Sequence, residues 1–291
     1  MSAAKHLPEV SARRRRTDKI MRASLLVATL IALVPLVLII YYLIKKGLSA
    51  WFKSGFFTTD PNGNFFGNPG GIRSAIFGTL EIVALATLIA VPTGIAVALY
   101  LVEYGKQSKF ANVVRYFIDV MTGVPSIVFG LFIYISLVLN HVGGAFTGWK
   151  GAIALSLLML PVVTRASEVV LQLVPDSLRE AALALGAPRW RVVTRVVLPT
   201  ATPGLVTGSL LAVARGMGET APLLFTALSN QFFSLNLTKT MANLPVTINN
   251  YVQSPYTYWK ELAWSGALLI TLTVLALNIG ARVLGAERSA K

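Results

Sequence analysis

Long apolar runs separated by short polar stretches set the pattern of this chain. Six runs reach the roughly 20 residues that an α-helix needs to cross a bilayer: residues 24–44, 76–102, 116–139, 151–171, 203–227 and 262–284. The pattern predicts an all-α integral membrane protein with six transmembrane helices. It divides the chain into a basic tail (1–23), a first helix (24–44), an outer loop (45–75), a transmembrane core (76–285) and a short tail (286–291). A polar insert at 176–199 interrupts the core. The first run is too long for a signal-peptide core and lacks an A-x-A-like site, so it is expected to remain as a spanning helix.

The basic residues orient this arrangement. An even number of spans puts both ends on one side. With the N-terminus inside, the inner segments carry 18 Lys and Arg and the outer segments 6. Cytoplasmic flanks are the basic ones, so both termini and the insert are expected to face the cytoplasm across the plasma (inner) membrane. The first outer loop is rich in aromatics: Trp51, Phe52, Phe56, Phe57, Phe65 and Phe66. They suit an aromatic belt at the lipid interface or a docking surface for an extracytoplasmic partner. The last outer loop, 228–260, is long and carries Tyr251, Tyr256, Tyr258 and Trp259. A loop of that length is usually functional, and it too is a candidate contact for a solute-binding protein.

The insert, DSLREAALALGAPRWRVVTRVVLP, reads as helix, break, helix and stop. Ser177 and Glu180 have capping-box spacing, which places a helix start near Leu178. Gly186 is a left-handed C-terminal cap and Pro188 suits the first turn of a second helix, which Pro199 is expected to end. A helix of about eight residues is marginal without packing. Its apolar side (Leu178, Ala181, Ala182, Leu185) therefore calls for a partner surface, and small Ala181 and Ala182 permit close approach. Glu180-Ala181-Ala182, Gly186 six residues after Glu180, and Val196-Val197-Leu198-Pro199 resemble the EAA loop of ABC-importer permeases. The family's usual isoleucine is Val196 here. The resemblance implies the type I ABC-importer permease fold. It also implies a coupling helix, with Glu180, Ala181, Ala182, Leu185 and Gly186, seated in a groove of a separate ATPase.

Composition fits that picture. The 291 residues are 55% hydrophobic and 13% charged, at a mean hydropathy of +0.66. The net charge of +14 invites a nucleic-acid reading, but Arg13–Arg16, Lys19 and Arg22 immediately precede an apolar run and no RNA-binding motif accompanies them. No nucleic-acid partner is expected; the partner implied is membrane lipid. There is no cysteine, and His6 and His141 stand far apart, so no metal constellation is expected. The one Gly-Lys pair, Gly105-Lys106, has Tyr100 where a phosphate loop needs its first glycine. The chain is expected to be a non-catalytic translocation subunit without its own cofactor, ATP and Mg being bound by the partner ATPase.

The fifth run carries the candidate substrate chemistry. Gly204, Gly208, Ala212 and Gly216 form a small-residue stripe that lets membrane helices pack closely. Arg215 and Glu219 follow, one turn apart, among helix breakers. A charge at membrane depth costs ~2.5–3.5 kcal/mol and is retained mainly where it is paired or lines a water path. Either the two simply pair, or Arg215 offers a guanidinium to an oxyanion with Thr220 as hydroxyl donor beside a broken helix. Ser126, beside Pro125, is a further pathway hydroxyl or a serine bonded to its own helix. Glu81, Asp119, Arg165 and Glu168 read as structural or interfacial, with Arg165 and Glu168 paired.

RGMGETAPLLFTA (residues 215–227), TGVPSIVFGLF (122–132) and VPTGIAVALYLVEYG (91–105) are similar to phosphate-importer permeases of the PstA/PstC type, and within that pair more to PstA. The resemblance implies a heterodimer with a PstC-type permease, a PstB-type ATPase dimer and an extracytoplasmic PstS-type phosphate-binding protein. It also implies passage of inorganic phosphate along Arg215 and Glu219. The alternatives are an ABC permease for another oxyanion or small solute, or a stand-alone secondary carrier, against which the EAA loop argues. A signalling role is untouched by the sequence.

Overall fold

The computed structural model describes residues 12–64, 67, 70–106 and 108–289, with side chains to 283. Residues 1–11 of the basic tail with His6, the aromatics Phe65 and Phe66, and tail residues 290 and 291 lie outside the described residues.

The chain divides into two compact units, 1–46 and 47–291. The described part of the first belongs to helix α1 (Ala12–Trp51), which runs past the apolar stretch into its basic flank. An exposed Asp18–Arg22 pair at 3.0 Å stands one turn apart there. Exposed pairs of this kind contribute little.

The second unit holds α2 (Arg73–Leu99), α3 (Lys109–Gly123), α4 (Ser126–Ile133), α5 (Gly148–Gln172), α6 (Asp176–Ala184), α7 (Arg189–Val192), α8 (Leu198–Met217), α9 (Ala221–Thr226), α10 (Leu244–Val252) and α11 (Thr257–Ser289). Three π-helical stretches join them: Tyr100–Tyr104 after α2, Tyr134–Val138 after α4 and Val193–Val197 between α7 and α8. Among the described residues, five helices are long and apolar enough to span a bilayer, or six if the bent pair α3–α4 is one span.

That bent pair revises the expectation of a continuous third helix, since α3 and the segment from Ser126 meet at 104°. Val124, held extended (ψ 129°) by Pro125, is the breaking point; the proline ring excludes the α region from the residue before it.

Helix α5 is the central post, packing against α2, α8, α9, α4 and α3. Small residues let it do so. A methyl on Gly94 would fall 2.8 Å from Val163 Cγ1; on Gly204, 2.5 Å from Val170 Cγ1; on Gly208, 2.7 Å from Ala166 Cβ; and on Gly216, 2.8 Å from Met159 Sδ. The expected stripe on α8 therefore faces α5. Lys150 is fully buried, and its ammonium donates to the carbonyls of Leu137 (3.2 Å), Gly144 (2.5 Å) and Ala145 (2.7 Å). That closes the hairpin between α4 and α5. The described aromatics between α1 and α2 divide. Phe56 is buried and Trp51 donates to the carbonyl of Ser265 at 3.1 Å, while Phe52 and Phe57 are exposed.

Candidate functional site

Two sets of residues, at opposite ends of α8, were singled out by the sequence. Twenty residues of α-helix, about 30 Å, separate them.

At the near end lies α6. Pro175 (φ −60°) stands at its N-cap and the helix begins at Asp176, two residues ahead of expectation. The capping box of Ser177 and Glu180 is not made: there is no side-chain cap bond, because the proline fixes the entry before Ser177 is reached. The C-terminus does follow expectation. Gly186 has φ +79°, its N–H bonds the Leu183 carbonyl at 2.9 Å, and Ala187 N–H bonds the Ala182 carbonyl at 3.2 Å. This is the paired pattern of a glycine-capped helix end. Glu180, Ala181 and Gly186 are exposed and Ala182 is half-buried. Leu185 is 89% exposed, and Leu178, Leu183 and Trp190 are exposed too. Large apolar side chains left exposed outside the bilayer run have the character of an interface.

Pro199 does not end the second helix. The run continues from α7 through the π stretch Val193–Val197 into α8, with Pro199 in the first turn of α8. Leu198 N–H reaches back to the Val193 carbonyl, five residues away. The wider turn absorbs the proline, whose missing N–H and bulky ring would interrupt an α-helical register.

At the far end, α8 stops at Met217, residues 218–220 break the helix and α9 restarts it. Arg215 lies in the last turn of α8, where the negative end of the helix dipole favours a cation. Its side chain is 57% exposed and Glu219 is 19% exposed; Nε and Oε1 stand 3.8 Å apart. This is an ion pair looser than a hydrogen bond, so neither reading of the pair is exclusive: they face each other, yet the guanidinium is largely uncommitted. Thr220 is half-buried at the N-cap of α9 and makes no side-chain cap bond. Helix α4 packs on α9 closely enough that a methyl on Gly130 would fall 2.7 Å from Pro222 Cα. Ser126, the first residue of α4, is half-buried and makes no hydrogen bond with its own helix. The break thus gathers Arg215, Glu219 and Thr220, and adjoins the helix that Ser126 opens.

The remaining membrane-depth charges behave as bracing. Glu168, almost fully buried, accepts from Arg115 Nε (2.8 Å) and Arg165 Nη1 (2.6 Å). Arg165 also pairs with Asp119, and Arg115 donates to the Leu101 carbonyl at 2.8 Å. The Arg165–Glu168 pair was legible at a spacing of three. The part of Arg115, 53 residues from Glu168, was not. Glu81 on α2 keeps one buried carboxylate oxygen without a bond among the described residues.

A cavity of about 340 Å³ is lined by Ser74, Asn230, Thr247, Tyr251 and Trp259 among others. Most of its lining comes from residues 228–260, between α9 and α11. Burial pushes the Tyr251 hydroxyl well above its ordinary range.

Comparison with known proteins bears on these features. The family model described as "Binding-protein-dependent transport system inner membrane component" matches residues 90–287. Phosphate transport system permease protein PstA of Yersinia pestis is 46% identical over 277 residues, 94% of this chain and 92% of the relative. PstA 1 of Mycobacterium tuberculosis is 39% identical over 276 residues, 94% of this chain and 88% of the relative. Among solved structures, a bacterial alginate ABC transporter in complex with its alginate pentasaccharide-bound periplasmic protein aligns at a TM-score of 0.64. That match has 16% identity and covers 91% of this chain and 93% of that one. An inward-facing MetNI methionine ABC transporter aligns at 0.58 with 19% identity, covering 73% and 95%. At such identities these structures speak for the fold alone.

Proposed function

The chain belongs to the PstA family of ABC transport permeases, and from that membership we propose that it is the transmembrane subunit of an ATP-driven inorganic phosphate importer. The observation that carries the reading is 46% identity to PstA across 94% of the chain, through both sites. The chain is a multi-pass inner-membrane protein with the type I importer permease fold. Its proposed partners are a PstC-type permease, a PstB-type ATPase dimer that binds the ATP and Mg, and a PstS-type phosphate-binding protein. Both termini are proposed to be cytoplasmic, with 76–285 as the working core.

The exposed apolar face of α6 supports docking on the ATPase. A helix this short, ending on a glycine cap with Leu185 outward, gains stability from a groove that covers it. The break after α8 supports the pathway role. Arg215 presents an exposed guanidinium at membrane depth with Glu219 loosely opposed, and Thr220 and Ser126 carry uncommitted hydroxyls. A phosphate oxyanion would draw Arg215 from Glu219 into charge-assisted hydrogen bonds. One arginine offsets a dianion only partly, so donors from the second permease chain complete the site.

The test is labelled-phosphate uptake in cells lacking this chain, rescued by wild type or Arg215→Ala at equal membrane insertion. Rescue by wild type alone supports both cargo and pathway. Rescue by both keeps the cargo and removes Arg215 from the pathway. If phosphate entry never depends on the chain, the phosphate reading is lost.

A further inference from the structure

In α6, whose outer face is apolar and exposed, the only buried side chain is an arginine, Arg179. All five of its N–H groups are engaged. Nε and one Nη2 hydrogen meet Glu103 Oε1 at 3.1 and 3.0 Å, and Nη2 also donates to the Leu171 carbonyl at 2.8 Å. Nη1 donates to the Val174 carbonyl (2.6 Å) and to Asp176 Oδ1 (3.0 Å). One guanidinium therefore ties together the short helix, the end of α5 and the π stretch that closes α2. Arg179 and Glu103 are each only 10% exposed, whereas Asp176 is 71% exposed, so Glu103 is the buried counter-charge of the guanidinium and relies on it for compensation.

The rest of α6 is loosely held. A cavity of about 170 Å³ lies beside the pair, lined by Glu103, Lys106, Asp176, Leu183, Arg189 and Val193. Ala182 is the residue of α6 that packs, half-buried, against the apolar cluster holding Ala98 and Val102, so the guanidinium supplies the polar part of the tie between α6 and the end of α2. Glu103 itself is presented by the π stretch Tyr100–Tyr104, an element that interrupts the α-helical register where helices bend or shift.

We propose that the Arg179–Glu103 pair is the pin through which movement of α6 is handed to the cytoplasmic end of α2, keeping phosphate passage in step with ATP hydrolysis. The inference rests on the docking of α6 against an ATPase. Arg179 and Glu103 are positioning residues: neither belongs to the proposed phosphate pathway, and both are buried where the Leu185 face of α6 is exposed. Lysine cannot replace Arg179, because an ammonium lacks the planar fork that reaches a carboxylate and two helix-end carbonyls together.

The experiment uses the complete assembly of both permeases, ATPase and phosphate-loaded binding protein in liposomes, with wild type, Glu103→Gln and Arg179→Lys. Three quantities are read: ATPase subunit retained, ATP hydrolysed and labelled phosphate taken up. The expected result for both variants is full retention and continued hydrolysis, with phosphate per ATP reduced at least about tenfold, since breaking a buried pair costs more than the free energy of one decade. Uptake and hydrolysis falling in proportion would mark the pair as merely structural. Loss of the ATPase subunit would mean that it only shapes the docking face. An unchanged ratio would remove it from coupling. Each of these overturns the proposal. Failure of the underlying transport reading shows separately, as wild type that takes up no phosphate.

Discussion

One close helix contact in the core offers a graded test of how α5 and α8 are held together. A methyl added at Gly208 would sit 2.7 Å from Ala166 Cβ, an atom fixed to the backbone of α5 that cannot swing aside. Relief requires the helices to part by about 1 Å to reach ordinary van der Waals distance. Forcing an extra carbon into a packed core costs ~1–3 kcal/mol, and an immovable neighbour puts Gly208→Ala at the upper end. Against this, alanine is better than glycine inside a helix by about 1 kcal/mol. The net expectation is a loss of roughly 1–2 kcal/mol. Gly216→Ala meets Met159 Sδ at 2.8 Å and Cγ at 3.2 Å, atoms of a flexible side chain. There the propensity gain offsets most of the strain, and the change should be near neutral. Ala166→Gly removes the obstructing carbon, so Gly208→Ala with Ala166→Gly should recover most of the loss. The assay is reversible unfolding in mixed SDS and dodecylmaltoside micelles, followed by far-UV circular dichroism on the four variants. A neutral Gly208→Ala, a Gly216→Ala more damaging than it, or a double variant with additive losses would refute this account of the interface.

Two further outcomes follow from groups outside that interface. Lys150→Met keeps the length of the side chain but leaves the carbonyls of Leu137, Gly144 and Ala145 without their common donor. Hydrogen bonds to a charged group contribute ~1.5–3 kcal/mol, so amide exchange in residues 134–147 should accelerate by at least about tenfold while the opposite ends of the helices stay protected. Tyr251, buried and raised above its ordinary value of 10.0, gives a sign for alkaline pH. The folded state holds its proton more tightly than the unfolded state. Its contribution is therefore fully present below pH 10 and is lost as pH rises from there toward the raised folded value. Unfolding midpoints measured from pH 8 to pH 11.5 should decline at the top of that range, and Tyr251→Phe should flatten the decline.

How much of this was legible in the sequence depends on the range over which each feature acts. The α8 stripe and the glycine cap at Gly186 are local patterns, and both appear in the structure as read. The failures arise where a local signal was met by a neighbour just beyond its window. Ser177 and Glu180 have the right spacing for a capping box, but Pro175 starts the helix two residues earlier and leaves the serine inside the first turn. Pro199 reads as a stop, yet a π turn before it supplies a register into which a proline fits. The third apolar run reads as one continuous span, but Pro125 holds Val124 extended and the two halves meet at 104°. In the candidate sites, Arg215, Glu219 and Thr220 were found through their breakers and their charge at membrane depth. Arg179 was passed over as one more charge on a polar insert. Its partner Glu103 is 76 residues away, and no spacing rule reaches that far.

The π stretch Val193–Val197 has a consequence for length variation in this chain. A π turn is an α-helix holding one surplus residue, and each residue of an α-helix advances it by about 100°. The small-residue face of α8 is locked against α5. Deleting one residue from 193–197 would therefore leave α5 and α8 in place and rotate the start of α8's run, α7, by about 100°, drawing the exposed Leu185 face of α6 away from its present direction. A deletion there barely alters composition, hydropathy or helicity while redirecting the exposed apolar face of α6. A compensating insertion within the same few residues would be the natural suppressor.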